Sequence, residues 1–124
     1  MIQPLAGIDI IEIDRIRESI SRWGDSFLNR IYTVSELEAY RGKPESLAVR
    51  FAAKEAAMKA LSTPGKTVSW LEIEILNGQD GKPVMRLYGQ ALRQQQDLGL
   101  SGMSVTLSHS RDNAIALVIG IREV

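Results

Sequence analysis

Residues 5–13, Leu-Ala-Gly-Ile-Asp-Ile-Ile-Glu-Ile, are apolar, rich in β-branched side chains and interrupted by few charges, which predicts a strand. The spacing then turns helical. Asp14 can cap a helix whose apolar stripe is Ile16, Ile20, Trp23 and Phe27, with Gly24 breaking or bending it. Thr33-Val-Ser-Glu36 fits a capping box and opens a short helix through Leu37 and Tyr40. Pro44 suits the first turn of the next helix, which runs from about Glu45 to Leu61 and is rich in alanine without a glycine. Thr63-Pro-Gly-Lys66 ends it.

Residues 69–76 and 83–88 read as two strands joined around the turn-rich Asn77-Gly-Gln-Asp-Gly-Lys82. A helix from Gln90 to about Leu98 stops at Gly99. Residues 103–109 and 114–121 form a second strand pair around Arg111-Asp-Asn113. The expected order is β-ααα-ββ-α-ββ. Helices grouped apart from hairpin-linked strands predict an α+β domain over 1–124 with a mainly antiparallel sheet, rather than a parallel doubly wound one. No internal repeat, low-complexity tract or linker divides it.

Composition narrows the chemistry. The 124 residues suffice for one hydrophobic core. Lys+Arg and Asp+Glu total 15 each, so no global field draws nucleic acid or a membrane surface, and any charged partner must meet a local patch. There is no cysteine and one histidine, His109, which excludes thiolate and His-rich metal centres. A metal here must be a hard, oxygen-liganded ion such as Mg2+. No apolar run approaches the roughly 20 residues of a membrane span. The start of the chain lacks a basic segment followed by a signal-like core, so a cytoplasmic location is expected.

Against that background a few polar residues stand out. Asp9 lies among Ile8, Ile10, Ile11 and Ile13, where both strand faces look buried. A carboxylate there requires a cation or several donors, so it is either salt-bridged or a metal ligand. Glu55 and Lys59 share a helical face, as in an ordinary surface ion pair, but Ala48 and Ala52 beside them allow close approach of a ligand or a second backbone. Arg50 can lean toward the same pole. His109 closes a strand after Val105 and Leu107, in the manner of a core histidine, yet Ser108 and Ser110 add polar groups around it.

The loop 77–83 is an ordinary hairpin loop or a set of backbone amides with one lysine for a phosphate. It lacks the ending of a P-loop. Arg15 and Arg22 are seven apart on the first helix and face away from its apolar stripe. The net charge over 14–30 is only +1, too little for nucleic acid. It leaves a solvated face or a docking site for an acidic helix.

Together these pieces resemble one family, the holo-acyl-carrier-protein synthases, which are short trimeric 4′-phosphopantetheinyl transferases. Gly-Ile-Asp9-Ile-Ile-Glu-Ile-Asp-Arg15-Ile resembles the N-terminal signature, and Arg50-Phe-Ala-Ala-Lys54-Glu55-Ala-Ala-Met-Lys59-Ala the second. Tyr32-Thr-Val-Ser-Glu-Leu, Trp70-Leu-Glu-Ile-Glu-Ile, Gly81-Lys-Pro83 and Leu107-Ser-His109-Ser follow in the family's order, so the resemblance spans the chain.

It implies the family's fold, transfer of 4′-phosphopantetheine from coenzyme A to a serine of apo acyl carrier protein, and a place in fatty acid biosynthesis. It also implies a homotrimer with shared active sites. By the same resemblance Asp9 and Glu55 hold Mg2+, Lys59 neutralises the pyrophosphate, and Glu55, directly or through water, takes the serine proton. Arg50, Lys82, Pro83, His109 and Ser110 hold the nucleotide end of coenzyme A, and Arg15 and Arg22 meet the carrier. The chain departs from the pattern at Ser62-Thr-Pro-Gly65, where a Gly-Thr-Gly-like turn is expected, and at Phe51, where relatives often carry tryptophan.

Overall fold

The computed structural model describes all of residues 1–124. Strand β1 (Ile2–Glu12) leads into four helices, α1 (Ile13–Trp23), α2 (Asp25–Ile31), α3 (Val34–Tyr40) and α4 (Pro44–Ala60). A 3-10 turn at Trp70–Glu72 precedes β2 (Ile73–Asn77), β3 (Pro83–Leu87), α5 (Gly89–Asp97), β4 (Leu100–His109) and β5 (Asn113–Glu123). The α+β class and the element order agree with the expectation, with one more helix before the hairpin. Gly24 takes φ +54° and ψ −132°, a region closed to side chains, and so separates α1 from α2.

Three strands in the order β1-β5-β4 form an antiparallel sheet, and β2-β3 form a separate hairpin. The long pairing of β1 with β5 runs from Ile2↔Glu123 to Glu12↔Asn113 and sets Asp9 opposite Ala116. Helix α4 lies across the inner face of this sheet. Ala48, Ala52, Ala53, Ala56, Ala57 and Ala60 are all buried, and Ala56 and Ala60 meet β1 at Gly7. Gly7 is obligatory in β1, because a Cβ there would run into the carbonyl oxygen of Ala56. At this crossing the small residues of α4 admit a second backbone.

Some local expectations are corrected. The cap of α1 is Glu12, with no side-chain cap bond, while Asp14 sits in the first turn. Trp23 leaves the apolar stripe and is 60% exposed, because the chain turns away from the core at Gly24. Residues 70–72 are helical rather than extended, since Glu72 reaches back to the Ser69 backbone N–H at 2.7 Å in a second capping box. The box at Thr33 forms as expected, with both reciprocal bonds present.

Only one face of β1 is buried in the chain. Gly7, Asp9 and Ile11 point inward, whereas Ile8 and Ile10 lie on the outer face with Ile115, Ile119 and Ile121 of β5. Ile10 is 62% exposed, so the outer sheet face is an uncovered apolar surface.

Candidate active site

The site begins where β1 crosses α4. Contact at Gly7 brings the end of β1 beside the last turns of the helix, and alternation then aims Asp9 toward α4. Lys59 Nζ lies 2.9 Å from Asp9 Oδ1 and donates to the Ile8 carbonyl oxygen, also at 2.9 Å. The Asp9 side chain is 14% exposed and that of Lys59 56%. The ion pair anticipated between Glu55 and Lys59 is therefore made by Lys59 and Asp9 instead.

Glu55 is half-buried and lines one cleft with Asp9, Arg15 and Ser19, against an apolar wall of Ile16, Phe27 and Phe51. The cleft encloses about 240 Å³. Burial and then the neighbouring Asp9 carboxylate push the Glu55 carboxyl above its ordinary range, with Lys59 and Arg15 pulling it back. Two acidic groups that repel one another in a half-closed cleft form a site that favours a cation.

Nowhere in the chain do three or more His, Cys, Asp or Glu side chains gather as a closed metal cage. Two carboxylates without soft donors fit Mg2+, which keeps water and substrate phosphate oxygens in the rest of its shell. The chemistry of the donor set is thus compatible with that ion at Asp9 and Glu55.

The residues assigned to the nucleotide lie elsewhere. Lys82 and Pro83 line a groove of about 530 Å³ between β3 and β4, with Met85, Met103, Val105 and Thr106. It shares no residue with the Asp9–Glu55 cleft. His109 is exposed at the end of β4, with Ser110 beside it, so it is not a core histidine.

Arg50 is turned inward and only 3% exposed. Its guanidinium donates to the Ile75 carbonyl at 2.9 Å, the Ser46 carbonyl at 3.3 Å and Asn77 Oδ1 at 3.1 Å, and stacks 3.5 Å over the Tyr40 ring. Those bonds tie α4 to the start of the 77–82 loop, and burial lowers the guanidinium's pKa. Arg15 and Arg22 are exposed on α1, and the Arg22 guanidinium lies 5.4 Å from the Trp23 ring centroid.

The sequence pattern alone did not show the buried ion pair made by Lys54, the residue next to Glu55 on α4. Lys54 and Glu36 are both fully buried, with Nζ 2.8 Å from Oε1. Lys54 also donates to the Trp70 and Ile73 carbonyls, and Glu36 accepts from the Thr33 and Ile75 backbone N–H groups. The signal was present: Lys54 stands four residues after Arg50 in a helix whose other buried positions are apolar, mostly alanine, and Glu36 was already identified as a capping residue. Phe51 stacks between Phe27 and Trp70, at centroid distances of 6.4 and 4.8 Å, and this ladder backs the cleft wall.

Comparison with known proteins converges on one kind. The sequence profile of the 4′-phosphopantetheinyl transferase superfamily matches residues 6–118. A holo-(acyl-carrier-protein) synthase of Dehalococcoides mccartyi is 55% identical over 113 residues, covering 91% of this chain and 94% of its own length. That of Herpetosiphon aurantiacus is 47% identical over 124 residues, covering 94% and 98%. Among solved structures, the holo-(acyl-carrier-protein) synthase of Helicobacter pylori in complex with coenzyme A superposes with a TM-score of 0.83 at 33% identity. The match covers 94% of this chain and 99% of that one.

Proposed function

The chain belongs to the holo-(acyl-carrier-protein) synthase family of the 4′-phosphopantetheinyl transferase superfamily, and on that premise we propose how its cleft performs the transfer. The enzyme moves the 4′-phosphopantetheine arm of coenzyme A to a serine hydroxyl of apo acyl carrier protein, releasing adenosine 3′,5′-bisphosphate. The observation that carries this reading is the convergence of Asp9 from β1 and Glu55 from α4 in one cleft, with the Lys59 ammonium at its edge.

In the transfer, the serine oxygen forms a bond to the β-phosphorus of coenzyme A as the bond to the bridging pyrophosphate oxygen breaks. The serine proton leaves and the bisphosphate departs. Asp9 and Glu55 would hold Mg2+, which when bound would offset negative charge on the pyrophosphate and the leaving oxygen. Lys59 meets the same phosphates from the rim, where its exposed stem has room to move. Glu55, directly or through a water, accepts the serine proton, a role supported by its place beside Asp9 in the cleft. The aromatic wall at Phe27 and Phe51 excludes water beside the reacting groups.

Lys82, Pro83, His109 and Ser110 hold the nucleotide end of coenzyme A. Arg50 contributes from below by fixing Asn77 at the root of that loop. The separation of this groove from the Asp9–Glu55 cleft supports a site completed between neighbouring chains, and the uncovered isoleucine face supports a homotrimer. Sedimentation giving the mass of three chains would bear this out, and a monomer would refute it. Arg15 and Arg22 receive the carrier, and a role in fatty acid biosynthesis in the cytoplasm completes the reading. Arg15→Glu is expected to raise the carrier's KM more than that of coenzyme A; equal increases would remove the docking role.

The decisive experiment incubates the protein with coenzyme A, Mg2+ and an apo carrier protein, and weighs the carrier by intact mass spectrometry. A gain of one phosphopantetheine group is expected. A carrier left unmodified, with coenzyme A bound or hydrolysed instead, would overturn the transferase reading.

A further inference from the structure

Lys59 is placed for more than a phosphate contact. Its ammonium bonds Asp9 Oδ1 and the Ile8 carbonyl, and no other cation pairs with Asp9. Arg15 lines the same cleft yet forms no ion pair with either carboxylate. Asp9 is mostly buried, so little water is available to replace the ammonium.

The lysine, by contrast, has an exposed four-carbon stem and three rotatable donors, of which two are used here. It is therefore a bound cation that can leave. A metal drawing on the same carboxylate competes with it for that charge, and an anion that binds the ammonium helps it go.

We infer that Lys59 is the resident counter-ion of Asp9 in the free protein, that a divalent cation competes with its ammonium for that carboxylate, and that the phosphates of coenzyme A couple the two bindings by drawing the ammonium away. The inference rests on the Asp9–Glu55 metal reading above and adds an order to it. Coenzyme A, by taking Lys59, frees the Asp9 carboxylate for the metal. Linkage makes the effect reciprocal: whatever loosens Lys59 from Asp9 tightens the metal, and whatever removes Asp9 frees Lys59 for phosphate.

The test uses the full chain without carrier, and Mn2+ as a paramagnetic probe counted by electron paramagnetic resonance. With no coenzyme A, Lys59→Gln is expected to bind Mn2+ about tenfold more tightly than wild type, and Lys59→Arg within about threefold of it. Arg15→Gln removes the same charge from the cleft without breaking a bond to Asp9, and a gain of about twofold or less is expected.

Equal gains for Lys59→Gln and Arg15→Gln would reduce the effect to distant charge and overturn the inference. So would no gain at Lys59→Gln while Asp9→Asn and Glu55→Gln still lose Mn2+, an outcome that leaves the metal reading standing. Mn2+ binding unchanged in both Asp9→Asn and Glu55→Gln would overturn the metal reading together with the inference.

A second arm titrates coenzyme A calorimetrically in the presence of a chelator. Asp9→Asn is expected to bind it several-fold more tightly than wild type, because Lys59 is released. Glu55→Gln removes the same charge but holds no lysine, and is expected to gain at most half as much. Equal gains in the two variants would again overturn the coupling through Lys59.

Discussion

Lys54 and Lys59 lie five residues apart on α4, and each pairs with a carboxylate from another element, yet the two pairs are physically different objects. Lys54 is buried with Glu36, and three oxygens surround its ammonium. Each donor has a fixed acceptor, so the pair pins α3, α4 and β2 together, with burial lowering the lysine's pKa and Glu36 opposing that shift. Lys59 reaches a mostly buried Asp9 from the cleft rim, with its own side chain exposed, and keeps a donor free. Saturation and burial make the first pair a strut. Exposure and a spare donor make the second replaceable, as the phosphate role proposed for Lys59 requires.

The contrast can be broken from the strong side first. Lys54→Met leaves Glu36 charged in a dry core and is expected to destabilise the fold by about 3–5 kcal/mol, read from urea unfolding. Adding Glu36→Gln should recover part of that loss, because the uncompensated charge is gone. The corresponding change at the rim, Lys59→Met, is expected to alter stability by about 1 kcal/mol or less while transfer falls steeply. Equal destabilisation by the two variants would erase the distinction.

The smallest effect is a pH dependence at Glu55. Its folded-state pKa lies above the unfolded value, so the folded chain binds that proton more tightly. The associated stability is present below the unfolded pKa and is lost as pH rises through the folded one. Glu55→Gln should therefore match wild type in acid and be slightly more stable near neutrality in the absence of divalent cations. Urea midpoints across that range check the sign, and a variant less stable at neutral pH would contradict it.

Much of this was legible before any coordinates. Helix boundaries at Pro44 and Thr33, the hairpin around residues 77–82 and the break at Gly24 follow from local rules of capping and turn chemistry, and they hold in the structure. The importance of Asp9 was also readable, because a carboxylate in an isoleucine-rich strand demands compensation. What misled was its surroundings. Ile8 and Ile10 suggested a strand buried on both faces, whereas in one chain their face is bare. A hydrophobic pattern marks apolar faces, and cannot say which of them the same chain covers.

The sequence by itself determined the elements, the α+β class, the absence of soft metal ligands and the family to which the residue signatures point, because these depend on local spacing and composition. Partnership was decided only by the tertiary structure. Lys59 could have reached Glu55 four residues away on its own helix, and bonds Asp9 instead because Gly7 lets β1 lie against Ala56. Arg50 looked free to meet a nucleotide, and is spent on Ile75, Ser46 and Asn77 because β2 packs beside it. Ion pairs and hydrogen bonds extend only a few ångströms, so which of several charged neighbours meet is settled by the packing of distant segments.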